Sequence, residues 1–330
     1  MLNKERDVPY CDVSKEMIQN CKPEFKLDVL KYFHKFILER YRIHILKDIK
    51  GQEAPWTEDP VLAKFKFTNV RREHDTSSKW LIENIVNSNT TLEDKIYRCI
   101  LYRLYNTPLS GELLKLTEPN LSSYLDSCVL TLRRVIKENP KVRLFTNAYK
   151  TGGCKVGLLS SVKDYIGADL DTAPILVVRD LMSRKFHKEL LACTTQREVY
   201  DLLWYLPGFG KFMAYQVFVD LTYIPEFPFS ENEFTVAGPG CVFGLKLLVA
   251  DSGGLSAEEL LFWMRDNLVD EFKHNDLEFN PEEIFVDLPK HDRCLNVMSL
   301  ENLMCEFSKY YRVSIGERKH TRCKYKPKCN

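Results

Sequence analysis

A chain of 330 residues with an apolar share of 45% is long enough to bury a large core, as one big domain or two closely associated ones. Its formal net charge of +1 excludes a global attractive field for nucleic acid, so DNA binding has to come from local patches. The chain has eleven cysteines without a Cys-x-x-Cys pair, a polar start (Met-Leu-Asn-Lys-Glu-Arg-Asp) and no apolar run of about 18 residues. These features lead to the expectation of reduced thiols and a soluble protein inside the cell, nuclear if eukaryotic and cytoplasmic if phage or bacterial.

Residues 1–24 are polar and aperiodic and read as an N-terminal arm. Helical periodicity begins at once after them: Leu27, Leu30, Phe33, Ile37, Tyr41 and Ile45 recur at spacings of three and four, which places them on one face of a helix over 27–46. Gly51, Pro55 and Pro60 break the pattern, and Trp56 between them reads as a packing plug more readily than as a ligand contact. Further helices are expected over 78–86, 92–104, 121–137, 160–165, 175–185, 195–206, 211–221, 256–274 and 299–310. Strand-like alternation is confined to 142–148 and 283–287. The fold class is mainly α. The helical domain is expected to span 25–310, followed by a tail at 311–330 that carries Arg312, Arg318, Lys319, Arg322, Lys324, Lys326 and Lys328 against the single acid Glu317. Such a tail is either a solvated terminus or a phosphate contact. Cys294, Cys305, Cys323 and Cys329 have spacings that suit neither a zinc ribbon nor an iron–sulfur cluster, so no metal is expected there and a divalent ion elsewhere has no support.

Charge is concentrated in 65–81, where Arg71, Arg72, Glu73, His74 and Asp75 lie between aromatic anchors and a helix start. Arg71 and Arg72 offer planar forks suited to phosphate, and Glu73 and Asp75 could hold those forks or act as acid–base groups. The ordinary alternative is a solvated ion-pair network. Leu206-Pro207-Gly208-Phe209-Gly210-Lys211 has the form of a helix-hairpin-helix turn. Gly208 and Gly210 would let the chain turn sharply and present N–H groups to a DNA phosphate, with Lys211 as a point charge beside it. Gln216 and Asp220 follow on one face of the next helix. Asp220 in that apolar stretch either is paired or takes part in catalysis. Phe209, Phe212 and Tyr215 could stack on bases, although aromatics at this spacing are more often core. Gly238-Pro239-Gly240 forms a second backbone-exposing element, either a plain turn or a close approach to DNA or pyrophosphate.

Several of these segments together carry a resemblance: Glu39-Arg40-Tyr41-Arg42-Ile43, Pro55-Trp56-Thr57-Glu58-Asp59-Pro60, the charged 65–81 stretch, Ala237-Gly238-Pro239-Gly240 and Leu303-Met304-Cys305-Glu306-Phe307-Ser308-Lys309-Tyr310. In this order they resemble the helical domain of phage 5-hydroxymethyluracil DNA kinases and the related α-glutamyl/putrescinyl-thymine pyrophosphorylases, over roughly residues 25–326. The resemblance implies a helix-hairpin-helix, DNA-glycosylase-like helical fold. It also implies a role in thymine hypermodification, in which an amine displaces pyrophosphate from an activated 5-hydroxymethyluracil in DNA. In that reading Asp220, Asp75 and Gln216 are the catalytic candidates, and Arg71, Arg72, Gly208, Gly210, Lys211, Gly238 and Gly240 contact phosphate or DNA. Neither cofactor nor metal is expected. The partners are DNA with modified thymines and a separate P-loop DNA kinase, and no membrane. The glycine cluster Thr151-Gly152-Gly153-Cys154-Lys155-Val156-Gly157 lacks phosphate-loop spacing, so this sequence does not supply the kinase step by itself. Two other readings stay open. One is a non-catalytic module that recognises modified bases or recruits a kinase. The other is base excision, although 229–234 lacks the Val-Asp-Thr-His-like signature of the glycosylases.

Overall fold

The computed structural model describes residues 18, 20–147, 152–321 and 324–325. In chain order its elements are strand β1 (Glu24–Phe25) and helices α1 (Leu27–His44), α2 (Pro60–Lys64), α3 (Thr76–Leu81), α4 (Leu92–Tyr105), α5 (Pro108–Leu113), α6 (Leu121–Glu138), α7 (Gly152–Val162), α8 (Ala173–Ser183), α9 (Phe186–Leu191), α10 (Gln196–Trp204), α11 (Lys211–Thr222) and α12 (Pro239–Leu248). Strand β2 (Val249–Asp251) and helices α13 (Ala257–His274), α14 (Pro281–Ile284) and α15 (Val297–Ser314) complete the order. No helix among the described residues is long and apolar enough to cross a membrane. The chain divides into two compact units, one formed by Met1–Arg72 with Thr235–Asn330 and the other by Glu73–Phe234.

The discontinuous unit is built on α1, α12, α13 and α15. Its core is aromatic: Phe33, Phe36, Phe272, Phe307 and Tyr310 are completely buried, and Phe33 meets Phe307 edge-on at 4.9 Å while Phe36 stacks on Tyr310 at 4.9 Å. Each ring of this size contributes roughly 1.5–3 kcal/mol on burial, which is why the periodic face of α1 folds onto α15. β1 and β2 form a short antiparallel pair with Glu24 opposite Asp251. Polar seams tie the segments together. Asp59 caps α2 by accepting from the N–H groups of Val61 and Leu62, and it also takes Lys35 at 2.8 Å and the Tyr310 hydroxyl at 2.8 Å. Burial pushes the Asp59 carboxyl up, but the bonds from Lys35, Leu62 and Tyr310 bring it below its ordinary value. His44 is enclosed between Asp287 at 3.0 Å and Asp48 at 3.2 Å; burial works against its charge, and the two carboxylates outweigh it and raise its pKa. Arg40 donates to the carbonyls of Phe67 and Thr68, and Thr57 donates to Glu39. Trp56 packs against Tyr325, beside the bridge that joins Phe65 to Lys324.

The continuous unit is organised around α4, nearly all of whose residues are buried. Thr91 caps its start and Asn106, in the left-handed region at φ 56°, ends it. α4 packs on α8 and α11, α10 on α11, and α7 on α8. Trp80 stacks on Tyr102 at 4.7 Å and closes over Gly111, where a Cβ would lie 2.2 Å from the indole.

Three expected elements differ. The helix at 160–165 begins eight residues earlier, as α7, because the glycine-bearing stretch before it is helical. Residues 142–147 form no strand: the Thr146 N–H bonds to the Tyr105 carbonyl and the Leu144 carbonyl accepts the Thr107 and Ser110 hydroxyls, so the end of α4 and the start of α5 take these backbone groups in place of a strand partner; residue 148 lies outside the described residues. At 283–287 the Asn280 side chain and Pro281 start the helix α14 instead of a strand.

Candidate functional site

The continuous unit holds the glycine hairpin. A capping box of Thr195 and Glu198 starts α10, which runs to Trp204, and the chain turns through Leu206-Pro207-Gly208-Phe209-Gly210 into α11. Gly208 has φ 77°, and a Cβ there would lie 2.6 Å from the Cys154 carbonyl oxygen and 2.6 Å from the Leu158 nitrogen. Glycine is therefore required twice over, by conformation and by the approach of α7, whose Gly157 would place a Cβ 2.4 Å from the Gly208 Cα. Gly210 differs. It is the N-cap of α11, and among the described residues nothing lies within 4 Å of the Cβ it lacks. The exposed Lys211 holds its ammonium 5.3 Å from the centre of the Trp204 ring. Of the three hairpin aromatics, Phe209 and Tyr215 are core, whereas Phe212 is 43% exposed and the neighbouring Tyr205 is 62% exposed.

Asp220 and Gln216 lie on the buried part of α11. Asp220 has no exposed surface, and the Arg103 guanidinium of α4 grips both of its oxygens, Nε on Oδ2 at 2.5 Å and Nη2 on Oδ1. Arg103 also donates to Asn106 at 3.1 Å. Asp220 is thus paired, and its cation comes from a helix more than a hundred residues earlier in the chain.

Arg71 and Arg72 belong to the discontinuous unit, whereas Glu73 and Asp75 begin the other. Arg71 is fully buried and gives Nη1 to the carbonyls of Asp292 (2.7 Å) and Cys294 (2.8 Å) and Nη2 to the Asp292 carboxylate (2.9 Å). These bonds make it a clamp on the 292–294 loop. Arg72 is buried as well. Asp75 is the N-cap residue of α3, where its carbonyl accepts from the Lys79 N–H.

Gly238-Pro239-Gly240 starts α12, and its glycines serve packing. A Cβ on Gly240 would meet Cys305 Sγ at 2.4 Å, and one on Gly244 would meet the Met304 carbonyl oxygen at 2.2 Å, so α12 lies directly on the α15 backbone. The N–H of Ala237 donates to Glu258 at 2.9 Å and that of Gly238 to Glu301 at 3.1 Å. Burial pushes the Glu301 carboxyl up to about 7, opposed by the Gly238 amide and the charge of Arg72 and reinforced by Glu258. Glu306 pairs with Lys309 and accepts the Thr68 N–H at 3.3 Å. In the basic tail, Arg312 pairs with Glu317 at 2.9 Å, while Arg322, Lys326 and Lys328 lie outside the described residues, as do Cys323 and Cys329.

Sequence reasoning missed Arg103, Glu258, Glu301 and Asp292. Glu301 left a signal, since it falls in phase with Val297, Leu300 and Met304 on the buried face of α15.

With this geometry in place, the comparison with known proteins is direct: residues 27–320 match the family described as "5-hmdU DNA kinase, helical domain". The chain belongs to this family. The 5-hmdU DNA kinase of Bacillus phage SP10 is 24% identical over 292 residues, which covers 86% of this chain and 45% of the relative. This member of the helical-domain family thus spans less than half the length of the curated relative it matches. No solved structure matches it.

Proposed function

We propose that this chain acts on DNA containing 5-hydroxymethyluracil, as a transferase in which an amine displaces pyrophosphate from the activated 5-methylene carbon. The observation that supports this most is the hairpin. In a chain of the 5-hmdU DNA kinase helical-domain family, α11 starts at a glycine whose missing Cβ would meet no atom of the described residues within 4 Å, flanked by Lys211 and the exposed Phe212 and Tyr205. Such a helix start receives a backbone phosphate, and the exposed rings stack on or wedge beside a base that has left the duplex. The likeness to helix-hairpin-helix glycosylases is part of the same proposal. The hydroxymethyl group is activated by a P-loop DNA kinase acting from another chain or segment, because this sequence has no phosphate loop.

The residues named from the sequence enter the proposal with unequal support. Gly208, Gly210 and Lys211 have the most, from the hairpin geometry. Arg72 and the Gly238-Pro239-Gly240 segment are candidates for pyrophosphate. Asp75 is a candidate for proton transfer from the start of α3. Asp220, Gln216 and Arg71 are buried, and the ion pairs of Asp220 and Arg71 support positioning more than contact with substrate. That engagement also favours a second reading, a non-catalytic module that recognises modified DNA.

Mass spectrometry of nucleosides separates the two. After incubation with 5-hydroxymethyluracil DNA, enzymatically phosphorylated or not, and an amine mixture, the transferase yields an amine-substituted thymine only on phosphorylated DNA. The module yields no new nucleoside while still binding. A free modified base would instead indicate excision.

A further inference from the structure

Most buried carboxylates of this protein have cations or several donors. Asp59 has Lys35, Tyr310 and two amides, Asp94 has Arg98 and the Leu121 N–H, and Asp220 has Arg103. Glu301 is built differently. It is 8% exposed, one oxygen accepts a single amide from Gly238, and the other has no hydrogen-bond partner among the described residues. A buried carboxylate with one neutral donor is costly, and glutamine would keep the same amide bond at lower cost. Its setting is also specific: it sits on α15 beneath the Gly238-Pro239-Gly240 start of α12, and Arg72 lies close enough for its charge to act on the carboxyl.

We infer that Glu301 is the acid–base group of the transfer proposed above, accepting the proton of the incoming amine. The inference rests on that reading of the function. In the step, the amine nitrogen forms a bond to the 5-methylene carbon as the carbon–oxygen bond breaks, pyrophosphate leaves with the electron pair, and the proton released from the nitrogen passes to the free oxygen of Glu301. Arg72 supplies positive charge for the leaving group from the same unit, and the Gly238 amide holds the carboxyl in place. The titratable and charged groups facing Glu301 are Arg72, Glu258 on α13, Cys241 on α12 and Cys305 on α15. Burial holds both thiols above their ordinary range, so they stay neutral while Glu301 titrates. With its carboxyl raised to about 7, Glu301 exchanges a proton at physiological pH.

The test uses the full chain, an oligonucleotide carrying pyrophosphorylated 5-hydroxymethyluracil and the amine mixture. Glu301→Gln should lose on the order of 100-fold or more in turnover, with DNA affinity and circular dichroism unchanged, and Glu301→Asp should restore part of the rate. The wild-type rate should rise with pH through about 7, and the residual rate of the Gln variant should lack that limb. Turnover of the Gln variant within a few-fold of wild type would overturn the inference. Difference infrared titration reads the carboxyl without turnover. A protonated carboxyl band that disappears near neutral pH in wild type and is missing in Glu301→Gln is expected, and ionisation of Glu301 throughout pH 5–8 overturns the assignment. An inert wild type that shows the expected band would remove the transferase reading and this role with it, whereas an active wild type with an active Gln variant would remove only the role.

Discussion

Helices α11 and α12 each begin at a Gly-x-Gly element, and the fold brings different partners to the two. At Gly208-Phe209-Gly210 the first glycine is locked against α7, and the second has nothing among the described residues within 4 Å of the Cβ it lacks. At Gly238-Pro239-Gly240 the glycines bring α12 onto α15, and the amides leading into the helix are taken by Glu258 and Glu301. The same sequence signal therefore makes a candidate anion site in one unit and a packing joint lined by carboxylates in the other. What decides between them is the partner the fold brings up, which no local pattern contains.

The two helices are also held differently, and the largest expected effects test that. α11 is fastened by a buried ion pair, so Asp220→Asn or Arg103→Met should each cost about 3–5 kcal/mol in urea unfolding, since either leaves an uncompensated buried group. Replacing both by apolar residues should recover much of the loss. An Asp220→Asn variant of wild-type stability would show that the pair is not what fastens the helix. α12 is fastened by close backbone approach, and Gly244→Ala should cost about 1–3 kcal/mol by forcing a Cβ onto the Met304 carbonyl. Within the hairpin, Gly208→Ala should cost at least as much, because strain at positive φ adds to the clash with α7. Gly210→Ala should cost about 1 kcal/mol or less and act mainly on DNA binding. Equal losses at 208 and 210 would erase the distinction between a locked and an open glycine.

The carboxylate-lined start has a pH signature. The folded-state pKa of Glu301, about 7, lies above its ordinary 4.5, so between those values the folded protein holds a proton that the unfolded chain has released. Stability contributed by this group is therefore present below about pH 4.5 and lost as pH rises to 7. Glu301→Gln should remove that loss. Relative to wild type, the variant should gain about 3 kcal/mol between pH 4.5 and pH 8 in parallel denaturation series, and a constant difference would refute the shift.

The class of fold was legible because α1, α4, α11, α13 and α15 carry apolar residues at helical spacing, and the glycine at 208 was legible because a sharp turn between two such helices needs positive φ. The site was legible only in part. The sequence marks Asp220 as a charge in an apolar helix and Arg71 as a fork for phosphate, but Arg103 and Asp292, which engage them, lie more than a hundred residues away in sequence. The division of the charged segment after Arg72 could not be read either, because nothing in Arg-Arg-Glu-His-Asp marks a boundary between units. Glu301 could have been found: an acid in phase with the buried stripe of an amphipathic helix is a local contradiction, and such contradictions mark either an unseen partner or a group kept for its chemistry.

The smallest expected effect is the most direct test of the helix start at Gly210. Lys211 is exposed, its ammonium lies over Trp204, and Lys211→Ala should change stability by no more than about 0.5 kcal/mol. If Gly210 and Lys211 receive one DNA phosphate, the variant should bind modified and unmodified DNA more weakly by the same factor. The slope of log affinity against log salt should fall by about one, since one fewer counterion is released. A base-reading contact would behave differently, with the loss confined to DNA carrying 5-hydroxymethyluracil and the salt slope preserved. The exposed Phe212 supplies the counterpart, because Phe212→Ala should weaken binding without altering the slope, as stacking releases no counterions. If Lys211→Ala leaves the slope unchanged, the start of α11 is not a phosphate site, and the contrast between the two Gly-x-Gly elements reduces to one of packing alone.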